Sequence, residues 1–435
     1  MSQGQTSYAL NLLGAAQRDT ANVANVTSPT HAGYFDANSG GPLSEAARDA
    51  LLKGIEHGWA NPGRLHQPGR IANELLQAAR SSIANSLGFE ANEICFVQSV
   101  PLAFRLGLGG LVNASSHKVV ASKVEQSFIL EGLGTLDAER VSLIDVDEVG
   151  RIDVVAFAKA LACDGVTNGD AATNDGAATD DGAATSGLAI VQIANHEVGT
   201  KQPWEFLTDD SLAGAVWFAD ATLGPLSWVQ SLKLPKRVDV AVLSPASWSG
   251  PLGIAILAIR NGVKFKAQVG LGADPRDARE IQVAVGEPNV GLALASAAAL
   301  EDCGRRLDQS RDQLTRQSEL LRDLLTKEIP DLVLLGDTAE TGSTPGLVAF
   351  SLLYVHGEAL IDELSKRDIS ITSGSSCVAN AVGPSHVLVA MGALTQGNIR
   401  VSFNAATSDE DLKLFVQDLS NVLSELRNRA GVTSL

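Results

Sequence analysis

Two apolar runs, residues 238–243 and 254–259, flank the turn Ser244-Pro245-Ala246-Ser247-Trp248-Ser249-Gly250-Pro251-Leu252-Gly253. Each run is short and, apart from Asp239, apolar, which reads as a buried strand. The Ser/Pro/Gly-rich turn fixes its own backbone and sets side chains at a strand end. In open α/β sheets that is where ligands bind. Further strand-like runs fall at 93–98, 119–122, 141–147, 188–194, 215–219, 332–335 and 346–352. Helical patterning falls at 44–56, 75–87 and 152–161, and a helix ends at 362–367. A last helix carries Leu412, Phe415, Val416, Leu419, Val422, Leu423 and Leu426 on one face. It is preceded by Thr407-Ser408-Asp409-Glu410, which reads as a capping box. With 435 residues, a two-domain α/β organisation is the natural expectation.

Charge and cysteine usage narrow the function classes. The formal net charge is −17 and the isoelectric point is near 4.8, which argues against nonspecific binding to nucleic acid or anionic membranes. No apolar run approaches the roughly 18 residues that span a bilayer, and residues 1–28 lack the pattern of a secretory signal. Cys95, Cys163, Cys303 and Cys377 are far apart and form no Cys-x-x-Cys pair. The expectation is a cytoplasmic protein with free thiols and no metal. Residues 1–32 read as a polar extension with one short helix at 9–18. Residues 164–187 repeat Asp-Ala-Ala-Thr and Asp-Gly-Ala-Ala-Thr units. They contain little that is apolar beyond alanine and read as a disordered surface insertion. Their spacing lacks the terminal Glu of a calcium loop.

A set of motifs carries a more specific reading. They are Tyr34-Phe35-Asp36-Ala37-Asn38-Ser39-Gly40-Gly41-Pro42, Asn61-Pro62-Gly63-Arg64-Leu65-His66-Gln67-Pro68-Gly69-Arg70, Asn195-His196-Glu197-Val198-Gly199, and Asp220-Ala221-Thr222-Leu223. To these add the turn at 244–253, Ala284-Val285-Gly286-Glu287-Pro288-Asn289, Ile369-Ser370-Ile371-Thr372-Ser373-Gly374-Ser375-Ser376-Cys377, Pro384-Ser385-His386, and Asn398-Ile399-Arg400-Val401-Ser402. Together they resemble the class V aminotransferases, in particular the long-loop, iron–sulfur-assembly type of cysteine desulfurase. The resemblance runs from Tyr34 to Leu426 apart from the insertion. It implies fold type I of the enzymes dependent on pyridoxal phosphate (PLP). A large domain at 33–265 would hold a mostly parallel seven-stranded sheet. A smaller C-terminal α/β domain would follow at 266–435, linked by a helix at 290–328. It also implies a homodimer with sites at the subunit interface.

The same resemblance assigns roles by position. Cys377 stands where the family carries its persulfide-forming cysteine. Arg400 stands where a substrate carboxylate is clamped, and His66 is the other substrate-binding candidate. Asp220 matches the aspartate that pairs with the pyridine nitrogen, and Ser244 is also kept. The rest of the cofactor site departs from the pattern. Ser247 replaces the Schiff-base lysine, and a hydroxyl cannot form an imine. Gln126 replaces the histidine that stacks on the ring, His196 an asparagine, Leu223 a glutamine and Ala246 a histidine. Pro101 removes a donor from the phosphate turn, and Glu287 would repel the phosphate. Asp220 also reads as a simple cap of the next turn, Arg400 as a structural ion pair, and His196 as a satisfied core histidine. The expectation is that PLP is not covalently bound and is absent. A PLP-independent sulfur-relay, accessory or regulatory protein using Cys377 leads. It would work as a homodimer, with an active desulfurase or an iron–sulfur scaffold as partner. The alternatives are an enzyme with a rebuilt pocket for another small carboxylate, held by Arg400 and His196, and a weak desulfurase holding PLP noncovalently.

Overall fold

The computed structural model describes residues 33–115, 118–162, 187–204, 206, 212, 214–228, 231–268, 276, 278–286, 288–329, 331–374 and 384–431. The expectations for the 1–32 extension, the 164–187 insertion apart from Gly187, Glu287 and Cys377 lie outside the described residues.

The apolar runs become a seven-stranded sheet. Its strands are β1 (Ile94–Val97), β2 (Val119–Ser122), β3 (Val141–Ile144), β4 (Leu188–Gln192), β5 (Val216–Asp220), β6 (Val240–Leu243) and β7 (Ala255–Ile259), in the order β1-β7-β6-β5-β4-β2-β3. The block β6-β5-β4-β2-β3 is parallel. Strand β7 runs antiparallel to both β6 and β1. Every residue of β2, β4, β6 and β7 is buried, as expected for a parallel sheet covered on both faces. Side-chain alternation sorts these residues into two cores. Phe96, Val120, Val191, Trp217, Ala219, Leu243 and Ile256 face α2 (Gln67–Leu87) and α7 (Val290–Arg305). Val97, Ala121, Ile190, Phe218, Val242 and Leu257 face α3 (Val100–Ala114), α4 (Ser127–Leu133) and α6 (Ala278–Val285).

A second sheet, in the order β10-β9-β8, holds β8 (Val333–Leu335), β9 (Leu347–Ser351) and β10 (Asn398–Ser402). Its core joins α8 (Leu307–Glu328), α9 (Gly357–Ser365) and α11 (Asp409–Arg429) through Leu321, Phe350, Leu360, Val401, Phe415 and Leu419. The start of the described chain belongs here as well. Tyr34 bridges Ser370, Asp36 bridges Ser402, and the Phe35 ring lies 4.8 Å from that of Phe415.

Three local readings change. Helix α2 begins at Gln67, well before residue 75, because His66 Nδ1 accepts from the Gly69 N–H (3.1 Å) and Pro68 sits in the first turn, where its missing N–H costs nothing. The capping box lies one residue later than expected: Ser408 caps and Asp411 reaches back. The linking helix 290–328 is two helices, with Arg306 at φ −113° and ψ 9° between them. The physical reason is that α7 fills the large core through Val290, Ala293, Ala297 and Leu300, whereas α8 fills the small one. One straight rod does not serve two cores.

Helix α7 also packs on α1 (Glu45–His57) at glycine contacts. A Cβ on Gly54 would stand 2.4 Å from Gly291 Cα, and two backbones cannot relax as side chains do. Gly54→Ala is expected to destabilise the fold by about 1–3 kcal/mol despite alanine's better helix propensity. Urea unfolding measures it, and an unchanged or raised midpoint would contradict this packing.

Candidate functional site

The polar cluster forms where the parallel strands end. Asp220 is the last residue of β5, and its side chain is wholly buried. Its Oδ1 accepts from the Thr222 N–H (3.0 Å) and hydroxyl (2.6 Å). Its Oδ2 accepts from Gln126 Nε2 (2.6 Å) and faces His196 Nε2 (3.2 Å). The Gln126 amide, immediately before α4, also meets His196 Nε2 (2.6 Å) and Thr222 Oγ1 (3.2 Å). Without a proton on Nε2, His196 accepts there from that amide; with one, it donates to Asp220. Burial pushes the Asp220 carboxyl up, but the facing His196 and hydrogen bonds from His196 and Thr222 outweigh burial and hold it below its ordinary value.

The turn after β4 sets His196 in place. Asn195 Oδ1 accepts from the N–H groups of Glu197 (2.9 Å) and Val198 (3.0 Å), an Asx-type turn. Arg400, in β10, donates from Nη1 to the His196 carbonyl (3.0 Å). Its Nη2 donates to Asp36 Oδ1 (3.0 Å) and Ser39 Oγ (2.9 Å). The residue is 3% exposed, so the guanidinium fork is held by the chain's own carboxylate.

Beneath this cluster lies Glu125, wholly buried. Its Oε1 accepts from Ser122 Oγ (2.8 Å) and the Gln192 N–H (3.4 Å), and Oε2 has no partner among the described residues. Burial pushes its pKa up to about 8. The Ser122 hydrogen bond opposes this, and the Asp220 charge adds to it. Two neighbouring carboxyls are thus driven apart, one ionised and one protonated.

The turn 244–253 takes a different course. Residues Pro245–Trp248 form a 3-10 turn in which the Ser247 hydroxyl donates to the Ser244 carbonyl (2.7 Å). Gly224, at φ +79°, lies against it; a Cβ there would stand 2.4 Å from Ser247 Oγ. Leu223, Ala246 and Ser247 line a cleft that Gln126, His196, Asp220 and Arg400 do not reach. At the start of α3, the Leu102 N–H is engaged by Ser99 Oγ (3.3 Å) and Pro101 has no N–H.

Of the residues singled out from sequence, Gln126, His196 and Asp220 come together, with Arg400 joined through the His196 backbone. No hydrogen bond among the described residues links Pro101 or His66 to them; His66 caps α2. Sequence reasoning missed Glu125, Thr222, Asp36 and Ser39 as parts of the site. The signal for Thr222 was its position two residues after a strand-end aspartate. Among the described residues no group of His, Cys, Asp and Glu is placed to hold a metal ion, and no helix is long and apolar enough to cross a membrane.

The aminotransferase class-V family matches residues 183–415. The chain is 25% identical over 402 residues to a cysteine desulfurase IscS of Dictyoglomus turgidum, covering 91% of this chain and 95% of that one. It is 24% identical over 424 residues to human cysteine desulfurase, covering 95% and 86%. A NifS-like protein structure superposes with a TM-score of 0.74 at 22% identity, covering 90% of this chain and 99% of that one. An apo cysteine desulfurase from Thermococcus onnurineus gives 0.73 at 19%, covering 90% and 94%.

Glu125 yields a pH prediction. Unfolded, it ionises near its ordinary 4.5; folded, it keeps its proton to about 8. Its contribution to stability is therefore fully present below the unfolded value and lost as pH rises through the folded one. The slope between them is about −1.4 kcal/mol per pH unit. Glu125→Gln, which cannot ionise, is expected to gain stability relative to the parent between about pH 5 and 8. Denaturant unfolding at both pH values checks it; an equal difference at both would contradict the protonated carboxyl.

Proposed function

The chain belongs to the aminotransferase class-V family, and from that premise we propose that it is a cysteine desulfurase-like member without PLP chemistry. In this reading it serves as a sulfur-relay or accessory protein through Cys377. One observation carries the reading: the Asp220 carboxylate, which a pyridine nitrogen would need, is already engaged by Gln126, His196 and Thr222. Two further features support it. An imine needs an amine, whereas position 247 offers a hydroxyl turned to the Ser244 carbonyl. A phosphate needs N–H donors at a helix start, whereas α3 opens with a proline and an internally capped turn. On this reading the donor set in place does not suit PLP.

The relay step uses a partner's persulfide. The Cys377 thiolate attacks the outer sulfur, the partner's S–S bond breaks, and the partner cysteine leaves as a thiolate. One S–S bond is lost and one is formed, with no net oxidation. An active cysteine desulfurase is the donor that fits this chemistry, and an iron–sulfur scaffold is the fitting acceptor. The alternative of a small carboxylate clamped by Arg400 would first require Asp36 to leave that guanidinium.

A second copy of the chain is the expected partner on the face of α1. Leu52 (53% exposed), Ile55 (59%) and, just past the helix, Trp59 (72%) form an apolar strip there. In sedimentation velocity the parent is expected as a dimer and Trp59→Asp as a monomer. A monomeric parent, or a variant that stays dimeric, would contradict this face.

Two experiments test the reading. Protein saturated with PLP and treated with borohydride is expected to carry no covalent label and to release no sulfide from cysteine. Incubation with an active cysteine desulfurase and 35S-cysteine is expected to label the chain, and Cys377→Ser to lose the label. Desulfurase activity of the chain itself, or labelling independent of Cys377, would overturn the proposal.

A further inference from the structure

Glu197 follows His196 on the turn after β4, but its side chain bonds elsewhere. The residue is 8% exposed, and carboxylates are seldom buried without partners. Burial pushes its pKa up, and Ser385, His386, Arg400 and Asn398 oppose the shift. Oε1 accepts from Asn398 Nδ2 (3.2 Å) in β10, and Oε2 accepts from Ser385 Oγ (2.7 Å). The same Ser385 oxygen accepts from the Leu388 N–H (3.2 Å) and so caps α10 (His386–Ala390). Gly374 lies against the Glu197 side chain from another direction. A Cβ there would stand 2.1 Å from Glu197 Cγ and 2.2 Å from Cδ, so the chain passes this close only as glycine.

Gly374 and Ser385 bracket the stretch 375–384, which contains Cys377. One side chain therefore meets the chain where it enters that stretch and again where it leaves. Neighbouring contacts secure both places. Thr372 exchanges backbone hydrogen bonds with Arg400 (2.7 and 3.4 Å), and His386 Nε2 donates to the Glu125 carbonyl (2.8 Å). Bringing the two ends of a chain segment together costs entropy, and contacts that hold both ends offset that cost.

We propose that Glu197 is a positioning residue for sulfur transfer at Cys377, acting through Gly374 and Ser385 at the two ends of the stretch that carries the thiol. The inference rests on the sulfur-relay reading. The step it serves is the exchange already given: the Cys377 thiolate takes the outer sulfur of a partner's persulfide, and the partner cysteine leaves as a thiolate. Such a transfer between two proteins depends on how the attacking sulfur is placed. Attack by a small, freely diffusing reagent depends on access and ionisation of the thiol alone.

The test uses the full chain and follows 35S labelling by an active cysteine desulfurase, iodoacetamide alkylation at Cys377 by peptide mapping, and the urea midpoint. Glu197→Ala is expected to slow labelling at least about tenfold, while alkylation of Cys377 stays within about twofold of the parent. Ile83→Val, in the large core on α2, is expected to lower the urea midpoint and leave labelling unchanged, which separates positioning from a general loss of stability. Should Glu197→Ala fail to fold, Ser385→Ala removes the donor to Oε2 and is expected to slow labelling several-fold. Gly374→Ala is expected to lower the urea midpoint in the parent and much less beside Glu197→Ala, where the atoms its Cβ would strike are gone. That coupling is read without any sulfur transfer. An unlabelled parent that shows the coupling overturns the relay reading and leaves the anchor standing. With a labelled parent, unchanged labelling in Glu197→Ala or a folded Ser385→Ala overturns the positioning role. So does a parallel fall in alkylation, an equal loss of labelling in Ile83→Val, or the same Gly374→Ala penalty with and without Glu197.

Discussion

A carboxylate wholly shut off from water at the end of β5 governs the architecture around it. Taking such a charge from water costs several kcal/mol unless hydrogen bonds and an opposite charge replace the solvent. Asp220 obtains these from Thr222 on its own turn, His196 on the neighbouring turn and Gln126 before α4. Each donor comes from a different segment, so satisfying one carboxylate fixes the relative placement of three loops at the same edge of the sheet. The pairing continues outward. The His196 carbonyl takes Arg400 Nη1, and Arg400 Nη2 takes Asp36 and Ser39. One line of charge-assisted contacts therefore runs from the large sheet through β10 to the start of the described chain.

Glu125 is the counterpart of this arrangement. It lies close enough to Asp220 to feel its charge, lacks a cationic partner among its contacts, and keeps its proton instead. The low-dielectric interior thus holds one negative charge at this end of the sheet and not two. On the other side of Gly224 the demands differ. Ser247 is tied to its own turn, and Leu223 and Ala246 present apolar surface to an open cleft. Five of the residue changes fall into two sets in space: Gln126 and His196 close a polar cluster on itself, and Leu223, Ala246 and Ser247 line a cleft.

Much of the fold was legible in the sequence, because most strands of the large sheet are buried and read as short, mainly apolar runs. Runs 188–194, 238–243 and 254–259 needed only their ends trimmed. Strand β10 was hidden because it carries Arg400 and Asn398 at its centre and edge, polar residues satisfied only by tertiary partners. The break at Arg306 was hidden because helical periodicity continues across it; what changes there is which core the helix serves. In the site, Gln126, His196 and Asp220 were legible as positions, but their mutual contact was not. Spacing says which strand ends carry polar groups and says nothing about which of them meet. Asp36 as the partner of Arg400 is a contact across 364 residues, beyond any local pattern.

The most direct measurement is a crystal structure of the protein grown with a saturating concentration of PLP. The expected electron density keeps the Gln126 amide on Asp220 Oδ2, with His196 beside it and no ring in the space they fill. Density for a pyridine ring seated on Asp220, with Gln126 displaced, would contradict the closed cluster and the function built on it.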